Sequence, residues 1–176
     1  MSNQEGHPFI RYLQKLADGQ ARGALASLRR GLGQPPGTVA DMYRYVEPFL
    51  GQERSGLKES AFYLVAALFA LHPKSAEKGN MGAQMRACDP EGKNSDALER
   101  RFTALLAAHP DDLPDYLRQA VSFLKSKDVP INWNQLIWDL QKWNDEDHRI
   151  QKEWARSFWG GRQPIELNNN SNSQGE

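Results

Sequence analysis

The sequence predicts an all-α protein, a compact bundle of about eight or nine helices that can divide into two small lobes. Three observations carry that prediction. Apolar residues recur at spacings of three and four in one segment after another, as helices with one buried face require. No run alternates as a half-buried strand does, and β-branched residues are scarce. Proline and glycine punctuate these segments; FALHP (69–73) and LAAHP (106–110) each read as a helix stopped by His then Pro. Two such stops do not make a repeat.

Residues 1–7 are expected to be a flexible start. Phe9, Leu13 and Leu16 then predict a short helix that ends near Asp18 and Gly19. A second helix places Ala21, Leu25, Leu28 and Leu32 on one face, with Arg22 and Arg29 flanking the stripe and Arg30 pointing away from it. Gly31, Gly33, Pro35, Pro36 and Gly37 make a loop that no helix should cross. Thr38 can cap a third helix with Val39, Met42, Tyr43, Val46 and Phe49 inward and Pro48 near its end. GQERSG (51–56) is a loop that exposes Arg54. From Ser55 to His72 the chain is apolar nearly all round, which predicts the central buried helix, and Pro73 stops it.

Residues 74–93 are rich in Gly and Lys, with at most a short helix around Met81 to Cys88. They are expected to be a mobile connector between lobes spanning 8–73 and 94–160. Leu98, Phe102, Leu105 and Leu106 define the next helix, and Leu113 to Lys125 another, with Leu117, Ala120, Val121 and Leu124 inside. The asparagine-rich tail, 161–176, is expected to be disordered.

The stretch from Leu117 to Gly160 holds all five tryptophans. Pro130 splits it, and Asn132 with Gln135 resembles a capping box that starts a new helix. Trp133, Leu136, Ile137, Leu140 and Trp143 form one face, continued at a spacing of four by Ile150, Trp154 and Phe158. Trp133, Trp143 and Trp154 therefore belong to the core, whereas Trp138 falls off the apolar face and is available to a partner. Lys142, Arg149 and Arg156 lie seven apart; Asp139, Glu146 and Glu153 do too, and can pair with them as a solvated face.

Composition narrows the function. The chain has 176 residues, 39% of the hydrophobic class and 25% charged, ordinary values for a globular domain. Its single cysteine, Cys88, excludes an internal disulfide and fits a reducing cytoplasm. MSNQEGHPF does not read as a signal peptide, and the apolar run Ala61 to Leu71 is shorter than the ~20 residues that span a bilayer. The expectation is a soluble cytoplasmic protein with no membrane partner.

Net charge is zero, which argues against coating nucleic acid by bulk charge. The charge is uneven, however: residues 8–33 carry Arg11, Lys15, Arg22, Arg29 and Arg30 against Asp18 alone. None of the four histidines has a second ligand at metal-site spacing. Cys88 lies close to Arg86, which can lower a thiol pKa, yet no partner base is signalled and it reads as a structural thiol. GNMGA (79–83) is no P-loop, because no G-K-[ST] follows. With no nucleophilic triad or acid pair, the expectation is a binding protein, not an enzyme, with no metal and no cofactor.

LRRGLG (28–33), MYRYVEPFLG (42–51), GNMGA (79–83), ERRFTALL (99–106) and LRQAVSFLKSKDVPINWNQLIWDLQKW (117–143) together resemble the small, CasB-type subunit of the type I-E CRISPR Cascade complex. The likeness runs from about residue 8 to Gly160. It implies an all-helical, non-catalytic subunit present as a pair of copies. Implied partners are the repeated backbone subunits, the large subunit, CRISPR RNA and target DNA. The implied task is to hold the assembly and stabilise the R-loop by gripping the displaced DNA strand. Carried over by position, Arg30 and Arg54 match basic positions expected to meet DNA, followed by Arg118 and Arg149. Arg11, Arg29, Lys125 and Lys142 complete the candidate set. Arg100 and Arg101 match the ERR motif, where Glu99 offers a structural ion pair. Asp145, Glu146 and Asp147 make the start of the last helix more acidic than the family pattern. The alternative reading is a helical protein–protein adaptor with no direct nucleic-acid contact.

Overall fold

Helix α4, Gly56–Leu71, is the element around which the others pack: Ala61, Phe62, Tyr63 and the whole run Val65–Ala70 are buried. Ser55 caps it by accepting a hydrogen bond from the Lys58 N–H at 3.2 Å. At the other end His72 is buried, with Nε2 2.7 Å from the Val129 carbonyl oxygen. The computed structural model describes residues 6–52 and 55–162. Among the described residues there are nine α-helices, one 3-10 turn and no strand, only an isolated bridge between Ser75 and Ile131. The tail after Arg162, and Arg54, lie outside the described residues.

Before α4 come α1 (Pro8–Asp18), α2 (Arg22–Arg29) and α3 (Tyr43–Leu50), all of which touch it. Gly6 and His7 are not a loose start. The His7 N–H donates to Asn134 Oδ1 at 2.7 Å, its ring caps α1, and that ring packs edge-on against Phe62 and Trp138. Thr38 does not cap the third helix: its hydroxyl donates to the Pro35 carbonyl, and a 3-10 turn, Ala40–Met42, leads into α3.

After α4 the chain forms α5 (Met81–Ala87), α6 (Ser95–Leu106), α7 (Leu113–Ser126), α8 (Trp133–Leu140) and α9 (Arg149–Trp159). The segment expected to be a mobile connector is built around α5, whose Met81 and Met85 are buried and which packs on α9. Gly82 is the reason that contact is so close, since a Cβ there would collide with the Trp154 backbone. Asn80 reinforces it by capping α5 through the Ala83 N–H and donating to the Glu153 carbonyl oxygen.

Asn132 caps α8 by accepting from the Gln135 N–H at 3.1 Å, while its amide donates to the Gly79 carbonyl at 3.0 Å. The reciprocal half of the capping box is missing, because the Gln135 side chain donates to Asp139. Asp139 itself corrects the solvated-face reading. It is 3% exposed and accepts from Trp154 Nε1 at 2.7 Å. The core tryptophans Trp133, Trp143 and Trp154 are buried as their spacing predicts. Burial on this scale, of large aromatics above all, is the main force holding the helices together.

Candidate nucleic-acid interface

Helix α7 presents Arg118, Gln119, Ser122 and Phe123 along one side, the spacing of successive helical turns. With Leu32 after α2, Leu71 at the end of α4 and Arg101 on α6, they line an open groove of about 600 Å³. Its floor is apolar and its rim is basic. Arg101 lies over the Phe123 ring, its guanidinium carbon 4.6 Å from the centroid, and Lys127 Nζ approaches the same ring at 5.8 Å. Two cations thus converge on one aromatic side chain, and Arg118 stands a third along the same groove. Arg118 has a weak brake, Asp115 at 3.7 Å one turn back, and its side chain remains 46% exposed. No described carboxylate pairs with Arg101 or Lys127. Glu99, the acid expected to hold the ERR motif, pairs instead with Arg162 at 2.9 Å.

The groove continues onto neighbouring elements. The loop after α2 passes beside Arg118: a side chain on Gly33, where φ is +75°, would begin 3.7 Å from the guanidinium. Arg29 and Arg30 immediately precede that loop, and both are exposed. Arg30 is engaged by Asp41 in an exposed ion pair, which screening by water leaves weak. Lys125 is exposed two turns beyond Arg118, a separation of about 10 Å along the helix.

The other candidates do not line this groove. Arg11 is exposed on α1. Lys142 is exposed in the turn after α8. Arg149 opens α9, where Asp145 at 2.9 Å and Asp147 at 3.4 Å hold it, so the acidic turn largely offsets its charge. Arg54 lies outside the described residues. Arg101, Lys127 and Phe123 are not among the binding candidates that the sequence suggests, because no local spacing ties α6 to the end of α7.

The thiol of Cys88 is pushed up to about 11, chiefly by burial, which overrides the nearby Lys127 and Arg101 charges. Proximity to Arg86 therefore does not activate it. A second cleft of about 400 Å³ is lined by Pro35, Pro36, Leu64, Pro114 and Trp143, with Asp111 and Asp115 at its edge. That acidic edge suits phosphate poorly. No group of three or more potential metal ligands occurs among the described residues, and no helix there is long and apolar enough to cross a membrane. Trp138 is 50% exposed, as its position off the apolar face predicts.

Residues 24–159 match the family model described as CRISPR-associated protein Cse2. The chain is 37% identical over 158 residues to a CRISPR-associated protein Cse2 of Thermus thermophilus, covering 88% of this chain and 90% of that one. Its fold superimposes on the crystal structure of CasB from Thermus thermophilus with a TM-score of 0.78 at 33% identity, covering 91% and 99% of the two chains. A chain of a structure described as a CRISPR RNA-guided surveillance complex matches with a TM-score of 0.73 at 30% identity, covering 85% and 88%.

Proposed function

The chain belongs to the CRISPR-associated Cse2 family, and from that premise we propose that it is the non-catalytic small subunit of a CRISPR-RNA-guided surveillance complex, where it grips the DNA strand displaced by the guide. The observation that carries this reading is the α6–α7 groove. Arg101 and Arg118 line it, Lys127 approaches its Phe123 ring, and no described carboxylate is ion-paired with Arg101 or Lys127. Unpaired cations along a trough hold phosphate oxygens well, and such contacts carry no base information. Sequence selection in a guided complex is left to base pairing, so a subunit that grips backbone indiscriminately is what the assembly needs. Arg29, Arg30 and Lys125 extend the track in this reading, Arg11, Lys142 and Arg149 are secondary contacts, and Arg54, outside the described residues, is proposed as a contact on the resemblance alone. The likeness to a chain of a solved CRISPR RNA-guided surveillance complex supports a place in such an assembly; the neighbours in this reading are CRISPR RNA, backbone subunits, a large subunit and a second copy of this chain.

The test uses assembled complexes verified to contain the mutant subunit. Arg118→Glu with Lys125→Glu should weaken binding equally for every target sequence. It should also flatten log affinity against log salt by about 0.7 per lost single-strand contact. A protein-only adaptor gives a different result: the mutant drops out of the complex, and whatever complex forms binds DNA with unchanged affinity and slope.

A further inference from the structure

Resting on that nucleic-acid reading, we infer that the α6–α7 groove takes an unpaired base of the displaced strand, stacked on the Phe123–Arg101 pair, in addition to its phosphates. Gripping backbone alone requires only exposed cations. This groove has more: an apolar floor made by Leu32, Leu71 and Phe123. Arg101 is held over the Phe123 ring at 4.6 Å, so a flat cation rests on an aromatic within the groove lining. Bases of single strands stack on both aromatic rings and guanidinium planes. Gln119 and Ser122 stand on the same side of α7, offering amide and hydroxyl groups to the edge of whichever base enters. Arg118 and Lys127 flank the platform and can take the phosphates on either side. Every base has a π-face, so this contact adds affinity while remaining tolerant of sequence.

The experiment combines one variant with one modified DNA series on the full complex. Abasic sites are scanned through the displaced strand alone, which leaves guide pairing untouched. The wild-type complex should lose roughly tenfold in affinity at one or a few abasic positions, the scale of one base–aromatic stack. Phe123→Leu, which keeps the floor apolar, should cause a similar loss on unmodified DNA, leave the salt slope unchanged, and become insensitive to those abasic positions. An abasic scan that is flat in the wild-type complex overturns the inference without any need for the variant to fold. If the scan is flat while Arg118→Glu still weakens binding, the backbone grip stands and only the base platform is lost. If Arg118→Glu also has no effect, the grip itself is wrong.

Discussion

Asp139 joins the last two tryptophan-bearing helices through a carboxylate that accepts from Trp154 Nε1 at 2.7 Å and Gln135 Nε2 at 2.8 Å. Burial raises its pKa, and the two hydrogen bonds, which favour the charged form, only partly offset that effect. The folded chain therefore holds this proton more tightly than the unfolded chain does. Its contribution to stability is greatest below the ordinary aspartate value of about 3.9 and is lost as pH rises through the higher folded value. Asp139→Asn removes that titration and keeps an acceptor for Trp154. The stability difference, wild type minus Asn variant, should fall as pH rises across this window, read from melting curves in a pH series; a constant difference would contradict the assignment. Asp139→Ala should cost more than Asn, by about 1–3 kcal/mol, because it leaves a buried indole N–H without a partner. The heptad spacing that suggests a surface ion pair cannot reveal this. Spacing places a residue on a helix, but which neighbour covers that helix is decided by the rest of the chain.

At the scale of elements, the α5–α9 contact is where sequence reading and structure part most clearly. Gly79, Asn80 and Gly82 look like loop residues because glycine and asparagine favour turns. Gly79 does serve that role, with φ of +84°. Gly82 does something else: within α5 it lets the helix backbone approach that of α9 at Trp154. Local composition cannot distinguish a glycine chosen for freedom from one chosen for thinness. Two helical glycines provide a controlled comparison. A methyl group added at Gly23 in α2 would meet nothing within 4 Å, so Gly23→Ala should be neutral or stabilising by up to about 1 kcal/mol. Gly82→Ala gains the same propensity and must push α5 off α9, so it should destabilise by about 1–3 kcal/mol or more. Chemical denaturation of the two variants checks this, and equal stabilities would show that the contact is not tight. The strongly periodic helices, by contrast, are legible from the residues alone: α4 and α7 start and end within a few residues of their predicted bounds and α8 starts at its predicted cap, since apolar faces and caps are local signals. The face read as continuing from Trp143 to Phe158 is broken, however, with α8 ending at Leu140 and α9 starting at Arg149.

For the whole molecule, the resemblance read from scattered motifs and the family match agree, but the groove itself is only partly legible in the sequence. Arg118 is a candidate on positional grounds, and Lys125 falls two turns along the same helix. Arg101, Phe123 and Lys127 join them only when α6 packs on α7 and the end of α4 closes the floor. Convergence of this kind is a property of tertiary packing, so a neutral chain can carry a locally basic trough without any basic run in its sequence. The central claim is that this trough lies on the displaced strand in the working complex. A photo-crosslinking amino acid placed at Gln119, an exposed position on the groove rim, tests it most directly once the complex is assembled on DNA with the two strands labelled differently. Crosslinks to the displaced strand that disappear when that strand is omitted are the predicted result; crosslinks confined to neighbouring protein subunits would contradict the account.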